Sequence, residues 1–299
     1  MYQGMNAMEK KKKRRGDRFD ATWVRDVDPL HGFTPYLFPN RCDNEAYLQE
    51  SVDMSALKAF LDKKNQGLDK AHRYTIFHCV ACALVKVVTL RPKMNYFIQG
   101  SRLYQRDHLS VAFVIKKQFA DDAHEALAFK KFGPDTTIDS FHDTIMEEIF
   151  TLRKADNVDN STDMMGLLLK LPRFILRPLV YILRRLDYYG KVPYDLIKDD
   201  PNYASIFISN LGSIKLNAAY HHLNNWGTNS LFVVIGEKHK APVFHEDGSY
   251  EMKEMLPLGV TLDERIADGY YYSKTIQLFK YILEHPEELD KPANEEVVM

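Results

Sequence analysis

The chain has 299 residues, 27% of them charged and 45% hydrophobic, which suits one large globular domain or two modest ones and excludes gross disorder. A formal net charge of -1 excludes bulk electrostatic attraction to nucleic acid, so no nucleic-acid partner is expected. Three cysteines, Cys42, Cys79 and Cys82, are odd in number and too few for a disulfide framework, which points to a reducing, cytoplasmic setting.

In chain order, polar residues lead into Lys10–Arg15, six basic residues in a row. No apolar segment follows, so this is not a secretory signal. Residues 1–27 read as a disordered basic tail, and 18–46, rich in Pro, Gly, Asp and Asn, read as an extended arm. Glu50–Met54 predicts a short strand. Ser55–Lys64 predicts a helix, with cap-capable Asp53 and Ser55 ahead of Leu57, Phe60 and Leu61 on one face. Thr75–Leu90 predicts a second helix, apolar on most sides and therefore buried, ending at Arg91-Pro92 because a residue before proline leaves the helical region. Cys79 and Cys82 form a C-x-x-C inside it, and at that spacing on an apolar helix they read as core residues, not a redox pair.

Met94–Ile98, a turn at Gln99-Gly100-Ser101 and Arg102–Tyr104 predict a hairpin feeding a strand at Leu109–Ile115. Asp135–Leu152 predicts an amphipathic helix with Ile138, Phe141, Ile145, Ile149 and Leu152 in register. Ser205–Ser209, Leu231–Ile235 and Leu256–Thr261 predict short strands. Tyr271–Leu283 predicts a closing helix, and 290–299 reads as an acidic disordered tail. Interleaved helices and strands with local and long-range pairing imply a mixed α/β sandwich. No run of about 18 uncharged apolar residues is present, so no membrane span is expected.

Several stretches, in order, carry a resemblance. They are Val52-Asp53-Met54-Ser55-Ala56-Leu57, the Thr75–Leu90 helix with its Pro92-Lys93-Met94-Asn95 turn, Ser110–Ile115, and Phe207-Ile208-Ser209-Asn210-Leu211-Gly212. Leu256-Pro257-Leu258 then precedes Asp263-Glu264-Arg265-Ile266-Ala267-Asp268-Gly269. Together they resemble the catalytic domain of the dihydrolipoamide acyltransferases of 2-oxoacid dehydrogenase complexes, and their relative chloramphenicol acetyltransferase, over residues 28–289. The resemblance implies a CoA-dependent acyltransferase fold, a two-layer α/β sandwich with a mixed sheet. It also implies acyl-CoA as substrate, no metal, and a homotrimer with active sites between subunits.

Carried over by position, Ser209 is the hydroxyl that bonds the tetrahedral oxyanion from the neighbouring subunit. Asp268 and Arg265 hold the catalytic loop through ion pairs and backbone contacts, and Asp263, Gly269 and Asn210 are structural positions of the two motifs. No lipoyl or subunit-binding domain precedes the region, so a standalone protein without covalently bound lipoate is expected. Asp69-Lys70-Ala71 matches the lipoyl-lysine tripeptide only superficially, because it falls between two predicted helices.

The family signature reads Asp-His-Arg-x-x-Asp-Gly, and here the catalytic histidine is replaced by Glu264. An imidazole near pKa ~6.5 can take a proton from a thiol near ~8.5, whereas a carboxylate near ~4.3 starts about four units below it. Three readings stay open. Glu264 is a retuned base, or His221 or His222 supplies the base, or thiol chemistry is lost and the fold binds or scaffolds. Acyl transfer from acyl-CoA to a small thiol, hydroxyl or amine is the expected function, with catalytically inactive binding as the alternative.

Residues 160–200 form an inserted amphipathic segment. In its core, Leu167–Leu186, Lys170, Arg173, Arg177 and Arg184 share one face, and Leu, Ile, Val and Phe cover the rest. Such a face suits either a second subunit or peripheral contact with the inner face of a membrane. Pro172 suits a helix start, while Pro178 is expected to kink the helix.

Overall fold

A computed structural model describes residues 13–116, 125–154 and 166–299. Lys10–Lys12 of the basic run and residues 160–165 of the insertion lie outside the described residues. The strands are β1 Ala21–Trp23, β2 Glu45–Asp53, β3 Tyr96–Gln99, β4 Arg102–Arg106, β5 Leu109–Lys116, β6 Glu125–Phe132, β7 Ile206–Asn210, β8 Leu231–Ile235, β9 His239–Phe244 and β10 Tyr250–Asp263. The helices are α1 Pro29–Leu37, α2 Met54–Lys64, α3 Ile76–Leu90, α4 Ile138–Lys154, α5 Arg173–Tyr188, α6 Tyr194–Ile197 and α7 Gly269–Glu284.

The main sheet runs β2-β10-β8-β7-β5-β6, with β9 paired to β10. β5, β7 and β8 are mutually parallel and the other pairs antiparallel, so the sheet is mixed, as expected. All five residues of β8, Leu-Phe-Val-Val-Ile, are buried, because both faces of this central strand are covered. One face carries Val111, Phe113, Ile206, Ile208, Val233, Leu258 and Val260 into the principal core with the helices. Eleven of the fifteen residues of α3 are buried, so this helix is the middle of that layer. Residues Lys70–Leu90 are long and apolar enough to span a membrane by length and composition, but most of that stretch is buried inside the fold.

The opposite face is thinner. Phe207 pairs with Phe232, and with Val234, Leu223 and Leu211 they form a small second cluster beneath the loop that precedes β8. Beside the main sheet, β1, β4 and β3 make a three-stranded sheet of their own. Arg106 joins the two. It is fully buried, lies over the Phe97 ring and donates to the carbonyls of Ala204 (3.3 Å) and Thr228, and burial pulls its pKa down to about 9.

The chain ends depart from the sequence reading. Residues 13–27 are not a detached tail: Arg18 is buried and β1 pairs with β4. The arm over 18–46 contains α1, capped by the Asp28 carboxylate with Pro29 at its first position. The strand expected at Glu50–Met54 is the nine-residue β2, and the one expected at Leu256–Thr261 is the fourteen-residue β10. The first half of the acidic tail packs, since Ala293 is buried, Lys86 Nζ reaches the Pro292 carbonyl at 2.8 Å and Asn294 N–H donates to the Pro134 carbonyl. Lys70 begins a single 3-10 turn capped by Asp69, a setting unlike the tip of a hairpin.

The N-terminus of α3 carries a titratable group. Thr75 N–H donates to His78 Nδ1 at 3.0 Å, so the neutral ring has its proton on Nε2, which has no partner among the described residues. Burial, reinforced by His142, drops the His78 pKa from 6.5 to about 3. Burial likewise lowers His108 to about 4. The unfolded chain therefore binds these protons below about pH 6.5 while the folded chain refuses them down to about 3 to 4. Stability is full above pH 6.5 and falls as the pH drops, His78 alone accounting for up to about 4–5 kcal/mol. His78→Gln keeps an acceptor for the cap and removes the titration. Urea midpoints taken from pH 7 down to 4 should show a clearly shallower decline in this variant.

Candidate active site

Glu264 begins the 3-10 turn Glu264–Ile266 that follows β10, and its surroundings hold it firmly. Asp263, with no exposed surface, takes two hydrogen bonds from the Arg265 guanidinium, Nε to Oδ1 at 2.8 Å and Nη2 to Oδ2 at 2.6 Å. It also accepts the Arg265 backbone N–H at 3.2 Å and lies 3.6 Å from Arg41 Nε. Arg265 Nη1 reaches the carbonyls of Phe38 (2.9 Å) and Pro39 (3.2 Å), which fixes the exit from α1. The Glu264 N–H donates to the Asn44 carbonyl at 2.8 Å. Its side chain is exposed and makes no hydrogen bond or ion pair among the described residues.

Asp268 caps α7, its Oδ1 accepting the Tyr271 N–H at 2.8 Å, and that hydrogen bond holds its carboxyl below the usual range. Arg265 thus acts through an ion pair and Asp268 through a backbone contact. Gly269 faces open space. The sequence does not single out Arg41, Asn44 and Glu45, because the segment that carries them reads as an extended arm. The Asp28-Pro29 pair, a cap followed by proline, was the available signal of order there.

Ser209 lies on β7, half-buried on the thinner face of the sheet, and its hydroxyl has no hydrogen bond among the described residues. Asn210 shapes the next turn, its Oδ1 accepting Ser213 N–H at 3.3 Å and its carbonyl accepting Ser213 Oγ at 2.7 Å. Ser209 pairs with Val234, and Val234 with Gly259, five residues before Glu264. At ~3.3 Å per residue and ~4.8 Å per strand, Ser209 and Glu264 of one protomer are about 19 Å apart. They stand at opposite ends of the sheet.

The two histidines diverge. His221 stacks flat on Phe232 (4.3 Å between centroids), and its Nδ1 lies 3.0 Å from the His222 carbonyl. Phe232 is the diagonal neighbour of Ser209, with Cα atoms about 8 Å apart, so His221 is the nearer candidate base within one protomer. His222 points away to Glu45 Oε2 at 3.1 Å. Cys79 and Cys82 are buried and burial pushes both thiols up, Cys82 to about 12, so neither is a nucleophile here. Among the described residues no three His, Cys, Asp or Glu side chains gather as metal ligands do.

Residues 195–290 match the family model of the 2-oxoacid dehydrogenases acyltransferase (catalytic domain). A probable dihydrolipoamide acetyltransferase from Listeria monocytogenes 4b F2365 superposes with a TM-score of 0.56 at 14% identity, over 88% of this chain and 94% of that one. This is the fold of the CoA-dependent acyltransferases. The acyltransferase fold recurs in the Azotobacter vinelandii dihydrolipoamide acetyltransferase, with a TM-score of 0.56 and 14% identity over 90% of this chain and 94% of that one. It recurs again in a chloramphenicol acetyltransferase, with a TM-score of 0.52 and 12% identity over 91% and 100%. No curated protein matches the sequence.

The acyltransferase signature loop separates support from display. Asp263→Ala leaves two buried guanidinium groups without their carboxylate and should cost about 3–5 kcal/mol. Glu264→Gln, at an exposed side chain, should stay within about 0.5 kcal/mol of the parent. Urea unfolding of the two variants at neutral pH measures both.

Proposed function

We propose that this protein is a CoA-dependent acyltransferase whose active site forms between two copies, with Glu264 of one protomer facing Ser209 of the next. The observation that carries this reading is that the support around Glu264 is complete while its carboxylate is displayed and unpaired. One protomer keeps Ser209 about 19 Å away, so only a neighbour can bring the two together. The surface beside Glu264 suits such a neighbour, since α1 exposes Leu30, Phe33, Tyr36 and Leu37, and Tyr270 is 76% exposed. A homotrimer, as the family resemblance implies, closes this arrangement. The Azotobacter vinelandii enzyme was investigated for the catalytic roles of a serine, a histidine and an asparagine. The last two stand four positions apart there, as Glu264 and Asp268 do here.

In this mechanism the acceptor, a small thiol, hydroxyl or amine, gives its proton to the Glu264 carboxylate as it attacks the thioester carbonyl of acyl-CoA. The Ser209 hydroxyl donates to the oxyanion of the tetrahedral intermediate. Collapse breaks the C–S bond, and the departing CoA thiolate takes the proton back from the Glu264 carboxyl. His221, on the same face as Ser209, is the second candidate for the base. Binding without turnover is a second reading, favoured by the weak basicity of a carboxylate towards a thiol.

Release of free CoA from acetyl-CoA, with dihydrolipoamide and simple thiols, alcohols and amines as acceptors, tests the proposal. Ser209→Ala should lower kcat roughly 10²–10³-fold and Glu264→Gln roughly 10²–10⁴-fold. Oligomers refolded from a mixture of the two variants should regain part of the activity, because some interfaces then pair an intact Glu264 with an intact Ser209. Full turnover in Glu264→Gln, with loss in His221→Ala, would move the base to His221. Acyl-CoA binding by calorimetry with no turnover would instead establish the second reading.

A further inference from the structure

Among the described residues, the buried hydrogen bonds that fasten helix α5 to the body lie at its C-terminal end. Asp187, near its C-terminus, is buried and accepts from Gln99 Nε2 (2.7 Å), Tyr203 OH (2.6 Å) and the Gly227 N–H (3.3 Å). Leu186 packs on Val192, Ile197 and Tyr203, and the Tyr188 carbonyl lies where a Cβ on Gly100 would stand. The other end is bare. Phe174 is 77% exposed and Tyr181 66%, and Ile175 and Ile182 are exposed with them.

At 100° per residue, Arg173, Arg177 and Arg184 fall within about 40° of one another. Tyr188, Tyr181 and Phe174 line one side of this stripe. Ile175 and Ile182 lie on the far side of the helix, beside the half-buried leucines. No carboxylate among the described residues pairs with Arg173, Arg177 or Arg184. Arg185 donates to the Tyr189 hydroxyl at 3.2 Å and lies over the Tyr188 and Tyr189 rings, with no carboxylate partner among the described residues. The one acidic residue of the helix, Asp187, is already committed to the body. A second basic element enters at the same end of the helix. Lys13, Arg14 and Arg15 are exposed, and Arg18, three residues later, lies against Gly190 just past α5.

We infer that α5 is an interfacial helix that docks this protein on an anionic lipid bilayer. Apolar side chains enter the acyl boundary, aromatic rings sit at headgroup depth, and the arginines meet lipid phosphates. Charge complementarity selects this occupant over a two-fold contact with a second copy. A self-complementary contact through this face would set arginine against arginine with no carboxylate between them. Pro178 does not oppose this role, since α5 continues through it from Arg173 to Tyr188.

Vesicle flotation of the full-length protein tests the inference, with phosphatidylcholine vesicles compared with vesicles containing about one-third phosphatidylglycerol, at low and high salt. The protein should float with the anionic vesicles only, and high salt should weaken binding. Arg173→Glu/Arg177→Glu/Arg184→Glu should lower the partition coefficient on the order of a hundredfold or more. Ile175→Ser/Ile182→Ser should abolish flotation. Far-UV dichroism and thermal melts should match the parent, since these side chains are exposed. Failure to bind anionic vesicles, or equal binding to neutral ones, would overturn the inference. So would a change of oligomeric mass in sedimentation of either variant, which would give the face to a second copy.

Discussion

The Asp263 carboxylate, wholly buried between two guanidinium groups, is the interaction on which the layout of the site depends. Removing three charges from water is expensive, and it is tolerated only where nearly every lone pair and N–H finds a partner. Asp263 meets that condition with Arg265 at both oxygens, and Nη1 of Arg265 and both Nη groups of Arg41 go to backbone carbonyls, while Arg41 Nε faces Asp263 at 3.6 Å without a hydrogen bond. Arg41 reaches Ile98 and Gly227, each at 3.1 Å, as well as Asn224, and Arg265 reaches Phe38 and Pro39. One carboxylate thereby binds the end of β10 to the N-terminal arm, the β3 strand and the loop before β8. Burial lowers the Arg41 pKa, and Asp263 beside it opposes that shift.

The loop that carries the histidines is placed by close backbone approach. A Cβ on Gly259 would lie 2.3 Å from the Ala219 carbonyl oxygen, and one on Gly236 would lie 2.1 Å from the Ala218 nitrogen. Glycine at both positions lets residues 217–219 run flat across β10 and the end of β8. The next residues then follow: Tyr220 against Tyr47, His221 on Phe232, and His222 with the Leu223 N–H on Glu45. This packing covers the thinner face of the sheet beside Ser209, which is half-buried.

Much of this was legible before any coordinates. The α3 helix announced itself through an apolar run closed by Arg91-Pro92, and β8 through five apolar residues between turns. The two motifs named the fold because their order and spacing survive where overall identity does not. The parts that were missed share a physical cause. Helix α1, the outer half of β10 and its partner β9 are amphipathic or polar elements held by distant contacts, so periodicity alone gives little. The Asp247-Gly248 turn between β9 and β10 was a usable hairpin signal. Packing of the C-terminal segment rests on Lys86, a lysine buried inside an apolar helix, and nothing in composition distinguishes it from a surface lysine.

Glu264 is where local reading and function part. A histidine at this position works as a base with water nearby, because its ordinary pKa already lies close to neutrality. A carboxylate gains proton affinity mainly by losing water. Among the described residues no side chain bonds the exposed Glu264 carboxylate, so on the proposed function its cover would come from a neighbouring copy or from the substrate itself. The same docking event that would deliver Ser209 would therefore also strip water from the carboxylate. On the proposed function, glutamate at this position would make the site depend on assembly, because the contact that delivers Ser209 is also the one that would cover the carboxylate.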